Sequence, residues 1–76
     1  PGYYVTAGVY GEQANADRMA SSLAKKGISA KVFRDSRNNM YYVYLLKFRN
    51  YEGAESAKST GLNGQYSGKL WIKVVE

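Results

Sequence analysis

Tyr3-Tyr4-Val5-Thr6-Ala7-Gly8-Val9-Tyr10 and, 38 residues on, Tyr41-Tyr42-Val43-Tyr44-Leu45-Leu46-Lys47-Phe48 are the two stretches whose comparison decides the fold. At that offset Tyr3, Tyr4 and Val5 fall on Tyr41, Tyr42 and Val43, Ala7 falls on Leu45, Tyr10 on Phe48 and Ala16 on Ala54. Tyr, Val and Thr suit a pleated, half-buried surface, and their period-two spacing predicts strands over 3–10 and 40–48, with Gly8 marking a bulge or bend. After each stretch come a short break, residues at helical spacing and a further strand pattern. The chain therefore reads as an internal repeat of strand, helix and strand.

Between the two stretches, Ala16, Met19, Ala20 and Leu23 fall at i, i+3, i+4 and i+7, the single buried stripe of a helix predicted over 13–26. Lys25 and Lys26 suit its carbonyl end, and Gly27 can take the left-handed conformation that stops it. Residues 30–35 read as a strand, and Asp35-Ser36-Arg37-Asn38-Asn39 as the turn of a hairpin. A second helix is predicted over 51–59, shortened by Gly53, Ser56, Ser59 and Thr60, none of them strong helix formers. Gly61, Gly64 and Gly68, with Asn63, Gln65 and Ser67, compose a loop that leads to a last strand over 70–75. The order βαββαβ, joined by short uncrossed connections, implies an α+β, ferredoxin-like fold: a four-stranded antiparallel sheet ordered 4-1-3-2 with both helices on one face.

Side chains alternate across a sheet, so each strand divides into two sets. Val5, Ala7, Ala30, Val32, Tyr41, Val43, Leu45, Leu70, Ile72 and Val74 form the set expected to meet the helices. The other set holds Tyr4, Thr6, Lys31, Phe33, Met40, Tyr42, Tyr44, Trp71 and Lys73, and two helices leave it uncovered. Exposed aromatic area of this kind marks a binding surface. Rings flanked by hydroxyls and cations suit a ligand with flat apolar faces and polar edges, as sugars and nucleobases have. The ligand-binding set expected on this face is Tyr4, Thr6, Phe33, Met40, Tyr42, Tyr44, Trp71 and Lys73. Tyr4, Thr6, Tyr42, Tyr44 and Trp71 are expected to form one solvent-exposed patch, with Lys31 and Lys73 at its rim.

Composition narrows the chemistry. The 76 residues contain no Cys and no His, so no thiolate, imidazole base, zinc-thiolate site or disulfide is available, and no cofactor is implied. Eleven Lys and Arg against six Asp and Glu give a net charge of +5, which permits an anionic partner. The carboxylates Glu12, Asp17, Asp35, Glu52, Glu55 and Glu76 are scattered over helices, a turn and the end of the chain, without the facing pair that glycoside cleavage requires. Gly61 to Gly68 lacks the Lys-Ser/Thr of a phosphate loop. No enzyme is expected. No apolar run reaches the length of a membrane span, and the start at Pro1 suggests a domain excised from a larger protein, with any targeting signal outside it.

The same stretches carry a family resemblance. Tyr3-Tyr4-Val5-Thr6-Ala7-Gly8-Val9-Tyr10 followed by Asn15-Ala16 resembles the SPOR (sporulation-related repeat) domain opening, aromatic-x-Val-Gln-x-Gly-Ser-Phe then Asn/Glu-Ala. Tyr41-Tyr42-Val43-Tyr44-Leu45-Leu46-Lys47-Phe48 with Glu52 and Ala54 resembles the family's Tyr-Arg-Val-x-x-Gly-Pro-Phe then Glu-Ala. The resemblance implies one SPOR-like domain over 1–76 that binds bacterial peptidoglycan, preferentially glycan strands stripped of stem peptides. It also implies a place in the cell envelope, periplasmic or outer-membrane-associated, and a link to cell division. Thr6 replaces the family's Gln, Val9 its Ser, Tyr42 its Arg and Leu46-Lys47 its Gly-Pro, so the polar contacts of that Gln and Arg do not transfer.

Two rival uses of the aromatic face come from other classes. An RNA recognition motif-like module shares the βαββαβ order and stacks bases on sheet aromatics, but its Lys/Arg-Gly-aromatic-Gly/Ala-aromatic pattern is replaced here by Asn38-Asn39-Met40-Tyr41. Protein docking through the same face is the other. The leading expectation is a non-catalytic glycan binder with no nucleic-acid partner and no membrane insertion by this segment. A monomer is expected, with a dimer through the sheet face as the alternative.

Overall fold

In the computed structural model, which describes residues 2–76, the tyrosine-rich stretches become the two central strands. The elements are β1 (Gly2–Tyr10), α1 (Gln13–Lys25), β2 (Lys31–Asp35), β3 (Met40–Phe48), α2 (Tyr51–Gly64) and β4 (Trp71–Val75). All neighbouring strands are antiparallel, in the order β2-β3-β1-β4, which is the expected 4-1-3-2 arrangement read from the other edge. The starts of β3 and α2 lie 38 residues after those of β1 and α1.

Both helices pack on the sheet face that carries Val43 and Leu45. Ala16 and Leu23 of α1 join Ile28, Val43 and Leu45 in one buried cluster, with Met19, Ala20, Val32, Leu62, Tyr66 and Leu70 packed around it. The end of α1 is built to hold this cluster. Gly27 has φ 82°, the Gly27 amide donates to the Ala24 carbonyl at 3.0 Å, and the Ile28 amide donates to the Leu23 carbonyl at 3.0 Å. This pair of bonds is a Schellman motif, and its usual apolar clasp is supplied by Leu23 and Ile28, both in the core. At the start of α2, the Asn50 Oδ1 accepts from the Gly53 amide at 2.8 Å and satisfies one of the free donors there.

The ladder between β1 and β3 shifts register twice. Val5 pairs with Leu46 but Thr6 with Tyr44, so Leu45 is an extra residue on β3. Gly8 then pairs with Val43, which leaves Ala7 as an extra residue on β1 and restores the original register. Each irregularity sets two successive residues on the same face and reverses the alternation that follows. Hence Tyr10, which strict alternation from Tyr4 would put on the open face, packs against the helix-side cluster. On β3, Lys47 moves to the face of Tyr4, with which it pairs. Phe48 is left on the helix side, against the Gly53 backbone.

The right-handed part of α2 is followed by Gly61, Leu62 and Asn63 with φ of 59°, 57° and 58°, a left-handed turn rather than the open loop expected from the glycines. The turn brings Leu62 and Tyr66 onto the core cluster. A Cβ at Gly61 would lie 2.5 Å from the Tyr66 carbonyl oxygen, whereas nothing comes within 4 Å of one at Gly64. Gly61→Ala should therefore cost about 1–3 kcal/mol, because a backbone carbonyl must move. In thermal melts this is a fall of at least about 4 °C, with Gly64→Ala losing clearly less.

Candidate functional site

Register alone places the expected site residues on one face. Phe33 pairs with Tyr42 and Lys31 with Tyr44 across β2 and β3, Thr6 pairs with Tyr44 on one side and Trp71 on the other, and Tyr4 pairs with Lys73. Directly opposed residues share a face, so these side chains all lie opposite the helix-side Val43. Met40, which pairs with Asp35, completes the row on β3. The rings meet one another rather than standing apart. Tyr4 contacts Phe33 at 4.7 Å between centroids and Tyr44 edge-on at 4.8 Å, while Phe33 stacks on Tyr42 at 5.3 Å and meets Tyr44 at 5.6 Å. These separations are those of favourable offset and edge-to-face aromatic pairs.

An ion pair then spans the face. The Lys73 ammonium on β4 lies 3.0 Å from the Asp35 carboxylate on β2, although β3 and β1 stand between the two strands. In a flat sheet three inter-strand steps would separate those strands by roughly 14 Å, and the two residues would also be offset along the strands, since Asp35 stands level with Met40 of β3 and Lys73, through Tyr4, with Lys47. The sheet is therefore coiled, with the end of β2 and the end of β4 lifted towards each other over the aromatic side. On its way across, the Lys73 Nζ sits 4.7 Å above the centre of the Tyr42 ring.

This closure corrects part of the expected patch. Tyr42 is 7% exposed and Thr6 is 0% exposed, so neither lies open to solvent. Tyr42 is enclosed by the stacked Phe33 ring and Lys73, and its hydroxyl accepts from the Asn38 Nδ2 at 2.9 Å. Thr6, on a central strand between Tyr44 and Trp71, donates its hydroxyl to the Tyr4 carbonyl at 3.0 Å. Tyr4, Phe33, Met40, Tyr44, Trp71 and Lys73 are half-buried, and Lys31 is exposed. A second correction concerns the helix side, where Val74, expected in the core, is 45% exposed.

Asp35 is held from two directions. Its carboxylate accepts from the Arg37 amide at 2.9 Å, which shapes the hairpin turn, and it also receives the Lys73 ammonium and the Arg37 guanidinium. Bonding to the Arg37 amide first, then to Lys73 and the Arg37 side chain, holds the carboxyl well below its ordinary value of 3.8. The Asp35 carboxylate in turn raises the Lys73 ammonium above its ordinary 10.5. No other carboxylate reaches the aromatic face through an ion pair among the described residues; Glu55 is engaged on α2 by Tyr51, Ser59 and Lys58. Nor do the described residues gather three or more His, Cys, Asp or Glu at metal-binding range.

The cation that alternation missed is Lys47, whose Nζ lies 5.4 Å above the Tyr4 ring. Beyond it opens a hollow of about 670 Å³, lined among others by Tyr3, Lys47, Arg49, Val74 and Glu76. Leu45-Leu46 was the available sign, since two adjacent leucines break a period-two pattern.

Tyr42→Ala should cost about 3–5 kcal/mol of folding stability, as removal of a buried ring does, whereas Tyr42→Phe should lose only about 1 kcal/mol with the Asn38 bond. Denaturant titration separates the two. A carboxyl whose folded pKa is depressed contributes stability that is complete above its unfolded pKa and is lost as pH falls towards the folded value. The stability gap between the native chain and Asp35→Asn should accordingly be constant above about pH 5 and shrink below about pH 4, when measured by denaturant unfolding at each pH.

Comparison with known proteins bears on the fold and the family. A fold neighbour is the solution structure of the peptidoglycan binding domain of the B. subtilis cell wall lytic enzyme CwlC, with a TM-score of 0.59 and 24% identity over 97% of this chain and 92% of that one. No curated protein matches the chain. The likeness to the CwlC domain, at that identity, establishes the shared architecture. The family model of the SPOR domain matches residues 1–69, nearly the whole of the chain, and on that match the chain belongs to the SPOR domain family.

Proposed function

We propose that this domain is a non-catalytic module that binds the glycan strands of bacterial peptidoglycan, in preference those stripped of stem peptides, and so acts at the cell envelope. The observation that carries the reading is a set of half-buried aromatic rings, Tyr4, Phe33, Tyr44 and Trp71, on a sheet face that no helix covers, in a chain of the SPOR family. The peptidoglycan binding of the CwlC domain, which has the same architecture, supports it. Sugar rings present apolar C–H faces and polar edges, so they stack on such rings while the Tyr hydroxyls and Lys73 meet their edges.

Ring stacking of this kind needs the aromatic faces held in place before the ligand arrives, since each side chain frozen on binding costs about 0.5–1.5 kcal/mol. The mutual contacts among Tyr4, Phe33, Tyr42 and Tyr44 supply that order in the free domain. In this reading Thr6 and Tyr42 support the surface from beneath, and Tyr4, Phe33, Met40, Tyr44 and Trp71 form it. No helix of the described residues is long and apolar enough to cross a membrane. The domain acts as a monomer that meets the wall through this face.

Trp71→Ala and Tyr4→Ala should each weaken binding to amidase-treated, insoluble peptidoglycan by roughly 1–3 kcal/mol, the range of stacking platforms and interface aromatics. Sedimentation binding assays at temperatures well below the melting transition measure this. Absence of any binding to that material, or a pronounced preference for single-stranded oligonucleotides with the steep salt dependence of phosphate neutralisation, would overturn the reading.

A further inference from the structure

Tyr44 and Tyr4, in edge-to-face contact, are flanked by two cations. Lys31 stands opposite Tyr44 in the ladder of β2 and β3, and Lys47 lies over Tyr4. Arg49 follows in the adjoining hollow. Among the described residues, no carboxylate comes within ion-pair distance of Lys31, Lys47 or Arg49. Glu76 lines the same hollow without pairing with either cation there. Asp35, the acid that the described residues place on the aromatic face, is already taken by Lys73 and Arg37. The face thus combines stacking rings with cations that no carboxylate of the described residues pairs with.

We propose that Lys31 and Lys47, with Arg49 behind Lys47, recognise free carboxylates on the sugar chain. The inference rests on the glycan reading above and deepens it. In peptidoglycan every second sugar carries a lactyl ether whose carboxyl group forms the amide bond to the stem peptide. Hydrolysis of that bond leaves a carboxylate on the sugar, so a stripped strand is an anion with its charges on alternate rings. Tyr4 and Tyr44, 4.8 Å apart between centroids, serve neighbouring rings, of which one carries the carboxylate, so a strand presents that group to the Lys47 ammonium in one register and to Lys31 in the register shifted by one sugar. An intact stem peptide removes the charge and adds bulk at the same point. Selection for stripped strands then has an electrostatic cause in this chain, and Lys31 and Lys47 act as specificity-determining residues.

The test compares three probes: glycan strands freed of peptides by an amidase, the same strands with their carboxylates converted to primary amides by carbodiimide and ammonia, and uncharged chitin oligosaccharides. The native domain should bind the carboxylate form about tenfold or more tightly than the amidated form, the ratio expected of one charge-assisted contact. The double variant Lys31→Gln/Lys47→Gln should bind both forms within about twofold of each other. Tyr4→Ala should weaken binding to both forms alike. If the native domain binds charged and amidated strands equally, or if the double variant keeps the full preference, the carboxylate inference falls while glycan binding stands. If it binds none of the three probes, the glycan reading falls with it.

Discussion

The two register shifts that cancel within the β1–β3 ladder are the constraint on which the arrangement of the aromatic face depends. An extra residue on each central strand increases local twist, and twist in the centre of a four-stranded sheet is passed to its corners. The charged ends of the Asp35 and Lys73 side chains meet as a result, at 3.0 Å, across a distance a flat sheet would not close. Burial of Tyr42 and the bond from Asn38 to its hydroxyl accompany that closure. The position of Lys47 over Tyr4 also comes from the shift at Leu45, since without it this lysine would point at the helices.

A chain of this size has little apolar volume to spare, and two helices can cover only one side of its sheet. The aromatic cluster meets that shortage by acting as a second, smaller core. Its rings shield one another and the aliphatic stem of Lys73, while the ammonium finds both a carboxylate and a ring face. Stability and recognition draw on the same side chains. They differ in depth: Tyr42 and Thr6 lie within the layer, and Tyr4, Tyr44 and Trp71 keep part of their surface free.

Nearly all of the fold was legible in the order of residues because two strong periodicities agreed with the punctuation between them. The Ala16-Met19-Ala20-Leu23 stripe, the Gly27 stop and the Asp35–Asn39 turn each have a local cause that needs no knowledge of the rest of the chain. The membership of the aromatic face was legible for the same reason, since strand alternation is a local rule. Exposure was not. Whether Tyr42 is open or covered depends on the coil of the whole sheet and on Lys73, which is 31 residues away in the chain. Lys47 escaped because alternation counts residues and a bulge adds one; only the Leu45-Leu46 doublet hinted at it. The left-handed turn at 61–63 escaped because its glycines read equally well as a flexible loop, and it is the docking of Leu62 and Tyr66 on the core that selects one shape.

The position of β1 between β3 and β4 has a consequence for how the domain acquires its structure. Every strand contact that β1 makes is with residues far ahead of it, from the pair of Tyr10 and Tyr41 to that of Gly2 and Val75. No local hairpin can shelter it, so during synthesis one of its edges, studded with Tyr and Val, stays unpaired until β3 has left the ribosome and the other until β4 has. Closing such long loops before any contact is gained slows the search, as in other domains dominated by non-local pairing. The interval is also one in which an unpaired strand can join a neighbouring chain. The β2–β3 hairpin, tied at its turn by Asp35, Asn38 and Asn39, is the one strand pair that can form locally, and it offers the template on which β1 and finally β4 assemble.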